Sequence, residues 1–223
     1  MKQKRSLRQF VTEVFGDTSP FMRKVEKVAL LAELNLCFIL SALPVITAGS
    51  AFTALHATMQ QFPDLTYGSA LRLYFRTFLR AFCPTLPQWL LTLAAAVALG
   101  CGWYTALHAQ LTDNFALMLP LLLSSAVVLF TAAWLYPLSA SLLTCGAALN
   151  FRELLSRSLL LGLRELLRSF AALILMLLPF ALLIYASLLS LTALGIWFLF
   201  GISPFAYLHS TLIKTVIIDK EID

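Results

Sequence analysis

Positively charged residues are confined to a few places in this chain of 223 residues. All sixteen lysines and arginines lie within four stretches: 1–27, 72–80, 152–168 and 214–220. Long apolar runs separate these stretches, and the turns near 109–114 and 190–194 carry no basic residue. This distribution is typical of a polytopic membrane protein whose basic loops lie on the cytoplasmic side.

The composition supports the same class. Hydrophobic residues make up 60% of the chain and charged residues only 12%, whereas soluble domains carry about 25% charged residues. The net charge of +5 comes from residues that flank apolar spans, so we expect anionic lipid headgroups to be its partner rather than nucleic acid. The sequence therefore predicts an all-α membrane helical bundle that forms one domain.

The first 61 residues divide into two parts. Residues 1–27 combine a helical stripe of apolar side chains with basic residues, which predicts cytoplasmic interfacial helices. Residues 28–61 are mostly apolar, but the segment Pro44–Gly49 interrupts them. The arm after the interruption has only about a dozen residues, roughly 18 Å of helix, and cannot cross a hydrocarbon core of about 30 Å by itself.

Charge favours one of the topologies that this interruption permits. A single crossing by 28–48 would place both arginine groups, at 72–80 and 152–168, outside the cell. A broken hairpin over 28–61 keeps all sixteen basic residues and both termini inside, so it satisfies the positive-inside rule and is the preferred prediction. Whether 28–61 crosses once, crosses twice or re-enters stays open at this point.

The rest of the chain reads as two units, 67–141 and 150–214, each an amphipathic helix followed by a membrane hairpin. The four full spans are predicted at about 86–108, 115–140, 169–190 and 192–213. Leu71–Phe78 and Leu163–Phe170 are identical at four of eight positions, which suggests a parallel internal repeat. In a leucine-rich chain, however, such matches also arise by chance.

Two motifs resemble the bacterial YesL-like family of small membrane proteins. One is the segment Leu34–Gly49, and the other is Tyr67-Gly68 followed by Phe75–Phe82. Members of that family have no established activity but are often associated with carbohydrate uptake and degradation. The resemblance therefore implies a place in the bacterial cytoplasmic membrane and a role beside a sugar importer. The chain departs from the family pattern at Gln60–Thr66, which carries a single charge, Asp64.

The broken hairpin contains the candidate residues for a substrate or packing patch. Glu33 is an acidic residue within a predicted membrane segment, so it is either a proton or substrate contact or the partner of a nearby arginine. Broken helices can bind ions with their free ends, but a tight packing turn explains the same residues. The patch consists of Glu33, Asn35, Pro44, Thr47, Gly49, Ser50, Thr53 and His56.

Two groups of arginines are candidates for docking a protein partner or for binding anionic lipid. They are Arg72, Arg76 and Arg80 in the first unit, and Arg152, Arg157, Arg164 and Arg168 in the second. No hydrolase, zinc-protease, phosphate-loop or dinucleotide-binding motif occurs in the chain. The three histidines lack metal-ligand spacing, and we predict neither catalysis, nor a cofactor, nor a metal.

The sequence supports two hypotheses for function. The first is an accessory or interaction protein, which supports a carbohydrate-uptake system by helix packing and cytoplasmic docking. The second is a small transporter or channel with its site at the broken hairpin. Since the four spans contain few hydrogen-bonding side chains, and a sugar path needs more of them, the accessory role is the preferred prediction.

Overall fold

The computed structural model describes residues 20–109, 115–146 and 150–221 of the protein. Within these ranges every regular element is a helix, which confirms the predicted all-α fold. The amphipathic stripe predicted near the amino terminus lies outside them. The α-helices are α1 (Pro20–Ala42), α2 (Ala48–Gln60), α3 (Tyr67–His108), α4 (Phe115–Thr144), α5 (Phe151–Arg164), α6 (Leu166–Leu189), α7 (Leu191–Phe200) and α8 (Ser203–Glu221).

Four segments of the described chain are long and apolar enough to cross a membrane. They are Gly68–His108, Met118–Thr144, Leu166–Leu188 and Leu191–Ile213. Each contains or closely matches one of the four spans predicted from hydropathy. The chain is therefore a multi-pass membrane protein with a helical bundle at its centre.

Helix α3 joins two elements that the sequence suggested were separate. The arginine-bearing segment and the first span form one helix of 42 residues, which continues through Pro84 and Pro87. At 1.5 Å per residue it is about 63 Å long, roughly twice the thickness of the hydrocarbon core. About half of α3 must therefore extend beyond the core, and its first half contains all three arginines.

In the second unit, the amphipathic segment and the following span are separate helices. Helix α5 ends at Arg164 and α6 begins at Leu166, so the predicted amphipathic helix up to Arg168 is shorter than expected. Glu165, with φ −107° and ψ 52°, forms the junction. The two matching octapeptides thus differ in structure, since one lies inside a helix and the other spans a junction. The internal repeat stays a prediction.

Helix α2 is the centre of the bundle. Twelve of its thirteen residues are buried, and it contacts α1, α3, α4 and α8. Most of these residues are Ala, Gly, Ser or Thr, which let neighbouring helices approach closely. A short helix surrounded in this way needs no lipid contact, which explains how a segment too short to span can lie inside a membrane protein.

Lys27 connects the two ends of the 28–61 segment. Its Nζ donates hydrogen bonds to the carbonyl oxygens of Phe62 at 2.9 Å, Pro63 at 3.1 Å and Leu65 at 2.5 Å. The same ammonium lies 5.1 Å from the centre of the Phe62 ring, a cation–π contact. The start of the apolar part of α1 and the end of α2 are therefore adjacent, as in a hairpin that returns to the side where it began.

The fourth span is interrupted, whereas the sequence suggested an unbroken helix over 192–213. Helix α7 ends at Phe200 and α8 begins at Ser203. The buried Asn35 side chain of α1 fills the break. Its Nδ2 donates to Phe198 O at 2.7 Å. Its Oδ1 accepts from the backbone N–H groups of Ile202 (2.9 Å) and Ser203 (3.0 Å). A break at membrane depth is tolerated only when protein groups satisfy its backbone.

Gly201 is the residue that the break requires. A methyl group at this position would lie 2.5 Å from the Trp197 ring and 2.5 Å from the Trp197 carbonyl oxygen. No real side chain tolerates such contacts without movement of the backbone. The Trp197 indole is held in turn, because its Nε1 donates to Pro179 O in α6 at 2.7 Å.

We expect Asn35→Ala to destabilise the protein by about 3 kcal/mol, because it leaves several buried backbone groups of the break without partners. Unfolding in mixed micelles, followed by circular dichroism, measures this change. Leu36→Ala is the matched control, since Leu36 is the next residue of α1 and is exposed; its effect should stay near 0.5 kcal/mol. Equal losses in the two variants would contradict the role of Asn35.

The hairpin geometry makes a second prediction, about membrane sidedness. Single cysteines at the exposed Glu26 and at Gln61 should react with an impermeant thiol reagent from the same side, since Lys27 holds these segments together. If that side is the cytoplasmic one, a cysteine at Asn150 should react from the same side as these two. A cysteine at Asp113 should then react from the outer side. The native cysteines are first replaced by serine. Labelling of Glu26 and Gln61 from opposite sides would contradict the hairpin.

Candidate functional site

The polar patch predicted in the hairpin is largely satisfied by the hairpin itself. Thr47 Oγ1 donates to Ser41 O at 2.6 Å and to Pro44 O at 2.7 Å. Ser50 Oγ donates to Thr47 O at 2.7 Å, and Thr53 Oγ1 donates to Gly49 O at 3.0 Å. These hydroxyls complete the turn between α1 and α2, which is the contact pattern that the packing alternative expects.

Gly49 is a point of close helix approach. A Cβ at this position would lie 2.6 Å from Trp89 Cβ of α3 and 3.6 Å from Thr85 O. Only glycine lets α2 and α3 come this close. Gly49 therefore lies at a tight packing contact with Trp89, as the packing alternative expects.

Two side chains of α2 reach other helices. His56 Nδ1 is 2.8 Å from Ser210 Oγ of α8. Gln60 Nε2 donates to Pro137 O of α4 at 3.0 Å, and its Oε1 accepts from Ser141 Oγ at 3.2 Å. All of these contacts connect α2 to the bundle, because each partner lies on a different helix from α2.

A second histidine, His209 of α8, lies against His56 with ring centroids 5.0 Å apart and an interplanar angle of 76°. Pro137 has no N–H group, so the Ala133 carbonyl of α4 lacks its usual partner, and the Ala133 backbone lies near the His209 ring. Its Nε2 nitrogen is buried and has no hydrogen-bond partner among the described residues.

The two histidines line a cavity of about 30 Å³ between α2, α4, α6 and α8. The rest of its wall is mainly apolar and includes Phe52, Tyr136 and Met176. The Tyr136 hydroxyl, 2.9 Å from Thr92 Oγ1, is already paired. The two histidines are the other polar side chains among its lining residues.

Of the predicted patch residues, only His56 lines this cavity. Asn35 lies at the helix break, and Glu33 is half-buried on α1, a helix that does not line this cavity. Sequence reasoning missed His209 and Met176 as neighbours of His56, because they come from distant spans. A signal was available in Pro137, since a proline inside a span leaves a carbonyl that needs a donor.

The predicted arginines lie on the surface. Arg72, Arg76 and Arg80 are exposed on the first half of α3, and Arg152, Arg157 and Arg164 are exposed on α5. Arg168 is half-buried and lies 3.5 Å from Glu165. Arg157 forms an exposed ion pair with Glu153 at 2.5 Å, which is worth little stability.

Helix α5 has one charged face and one buried face. Leu154, Ser158 and Gly162 are buried at intervals of four residues and face α4, the main neighbour of α5. A methyl group on Gly162 would lie 3.3 Å from Phe130 Cβ. The arginines of α5 therefore point away from the bundle, which leaves them available to lipid headgroups or to another protein.

Among the described residues, no group of three or more His, Cys, Asp or Glu side chains is placed to hold a metal ion. Scans of protein-family models, of curated proteins and of solved structures each find no match to this chain.

We expect Gly49→Ala to destabilise the protein by about 2 kcal/mol, because the added methyl group overpacks the contact with Trp89. Gly100→Ala, in α3 with open space around the position, is the matched control and should be neutral or slightly stabilising. Thermal unfolding of both variants in the same detergent gives the comparison. If Gly49→Ala melts with the parent protein, the close approach of α2 and α3 is not a constraint.

Proposed function

We propose that this protein is an accessory protein of the bacterial cytoplasmic membrane that binds and supports a carbohydrate-uptake system. Its basic loops and both termini face the cytoplasm, and its partner is a subunit of the sugar importer. The resemblance of Leu34–Gly49 and Phe75–Phe82 to the YesL-like family supplies the expectation of that partner. The hydrogen bonds of the hairpin, the small spaces inside the bundle and the exposed face of α3 support binding rather than transport.

The main support is that the polar side chains of the broken hairpin are used inside the fold. Thr47, Ser50 and Thr53 hydrogen-bond to their own hairpin, and Asn35 holds the break of the last span. A transport site at the hairpin would need such groups free to replace the water around a substrate. The hairpin instead acts as a packing element that joins the first helices to the last.

The spaces inside the bundle are also poorly suited to a sugar. The histidine cavity has a volume of about 30 Å³, whereas pockets for small-molecule ligands measure about 300–1,000 Å³. A wider groove of about 270 Å³ lies between α6 and α7, but apolar side chains such as Leu182, Ile196 and Phe200 line most of it. A groove of this kind suits acyl chains or another apolar helix.

The exposed surface of α3 favours a docking role. On the first half of α3, Arg72, Arg76 and Arg80 are exposed together with Phe75 and Leu79, and we call these five residues the α3 basic face. Cations beside exposed apolar side chains are typical of a surface that binds either a headgroup layer or a protein. Because α3 is longer than the membrane core requires, this face can reach an acidic partner at the cytoplasmic surface.

We expect a photo-crosslinker at Leu79 to capture an importer subunit in native membranes. Leu79 is 73% exposed within the α3 basic face, and Leu188 of α6, 80% exposed, is the matched control position. Reversing the charge of Arg72, Arg76 and Arg80 to Glu should lower recovery of the subunit at least about tenfold, or ~1.4 kcal/mol. Mass spectrometry of the affinity-purified protein measures both effects.

A triple Arg→Lys variant at the same positions keeps the charge and should retain most of the partner. Recovery of the protein alone from mild detergent would contradict the accessory role. Equal recovery by the Glu and Lys variants would show that the α3 basic face does not bind the partner.

A further inference from the structure

Helix α5 has an exposed ridge on the side away from α4. Its residues follow one another at intervals of four along the sequence, a spacing that places side chains along one side of a helix. The buried residues of α5 face α4, so the ridge faces outward. All of its residues are exposed, and we call them the α5 ridge: Arg152, Ser156, Leu160 and Arg164.

The two ends of the α5 ridge carry positive charge that the fold does not neutralise. Within the described part of the chain, neither Arg152 nor Arg164 forms an ion pair, whereas Arg157 of the same helix is paired with Glu153. Guanidinium groups bind phosphate oxygens through two parallel hydrogen bonds. At about 1.5 Å per residue, Arg152 and Arg164 lie roughly 18 Å apart along the helix axis. They therefore suit two separate phosphate groups rather than one.

Leucine side chains occupy the surface between the two arginines and just beyond them. Leu160 is 66% exposed, Leu163 is 50% exposed, and Leu167 at the start of α6 is 85% exposed. Removal of such aliphatic surface from water is favourable. The residues that anchor protein interfaces are mostly Trp, Tyr and Arg, and Leu is under-represented among them. Leucines flanked by arginines therefore fit the boundary between lipid headgroups and acyl chains better than they fit a protein.

The α5 ridge ends where a membrane span begins. Arg164 is the last residue of α5, and the apolar span Leu166–Leu188 starts with α6. Lipid headgroups lie just outside the hydrocarbon core, and arginine side chains at the ends of spans extend toward them. The sequence of helices thus places Arg164 beside the headgroup layer. Glu165 separates the two helices, so α5 does not have to follow the axis of the span.

We propose that the α5 ridge binds anionic phospholipids of the membrane in which the protein lies. Arg152 and Arg164 bind the phosphate groups of two neighbouring lipids, and Leu160 and Leu163 contact the upper part of their acyl chains. Helix α5 then lies along the headgroup layer with its buried residues against α4. The inference goes beyond the accessory role and does not depend on it, because the α3 basic face is a separate surface on another helix.

The test is fluorescence quenching of the full-length protein in vesicles. A fluorophore is attached to a single cysteine at Ser156, after the native cysteines are replaced by serine. The vesicles contain phosphatidylglycerol and phosphatidylcholine in equal parts, and brominated acyl chains, which quench the fluorophore, are carried by one lipid or by the other. The labelled site should prefer phosphatidylglycerol by at least about fivefold. The same label at the exposed Leu188, at the other end of α6, should show no preference.

Charge variants of α5 assign the preference to the ridge. Arg152→Gln combined with Arg164→Gln should abolish the preference for phosphatidylglycerol, because no unpaired cation of the ridge remains. Lysine at the same two positions keeps the charge and should retain most of it. The matched control combines Glu153→Gln with Arg157→Gln, which removes an ion pair from the same helix without a change in net charge. This control should prefer phosphatidylglycerol as strongly as the parent protein.

Three results would overturn the proposal. One is equal quenching by the two brominated lipids at the Ser156 label, and another is a preference that survives the double change to Gln. The third is no quenching by either lipid, which would leave the ridge to a protein partner. Circular dichroism and a single peak in size exclusion confirm that each variant is folded.

If the labelled protein does not fold, the arginine variants are made in the chain with its native cysteines. Mass spectrometry then counts the phosphatidylglycerol that stays bound after the protein is washed with detergent. The parent protein and the lysine variant should retain more of this lipid than the double Gln variant. Equal amounts in all three would contradict binding at the α5 ridge. Neither measurement involves an importer subunit, so failure here is distinct from failure of the accessory role.

Discussion

A helix break inside an apolar span leaves backbone N–H and C=O groups that lipid cannot satisfy, and in this protein one amide side chain satisfies them. Asn35 donates to the carbonyl end of α7 and accepts from the first N–H groups of α8. Ser203 Oγ adds a hydrogen bond to Leu31 O at 2.7 Å. The first helix and the last span are therefore joined at the centre of the protein, and α8 starts at a defined height on α1.

The position of this break has consequences for the interior. His209 and Ser210 lie about two turns into α8, so the start of the helix decides where they meet α2. Pro137 in α4 contributes from the other side, because its missing N–H leaves the Ala133 carbonyl without its usual partner, near the His209 ring. The carbonyl of Pro137 itself accepts from Gln60. Irregularities in two spans are thus compensated by polar residues of the buried hairpin and of α8.

Hydroxyls of the hairpin are used to complete its turn. The charged groups on α3 and α5 lie on the outer surfaces of these helices, and our proposal assigns the binding of a partner to the outer surface of α3. Inside the bundle, His209 Nε2 is buried without a hydrogen-bond partner among the described residues.

The sequence by itself determined the class of the protein. Hydrophobic length, the position of basic residues and the interruption at Pro44–Gly49 are local properties, and they predicted the four spans, the short arm and the exposed arginines. It did not determine that α3 is continuous, that the fourth span breaks at Gly201, or that His56 meets His209. These features depend on which residue satisfies a polar group or fills a space, and the partners Asn35, Trp89 and Met176 come from distant parts of the chain. Only the tertiary structure brings such partners together.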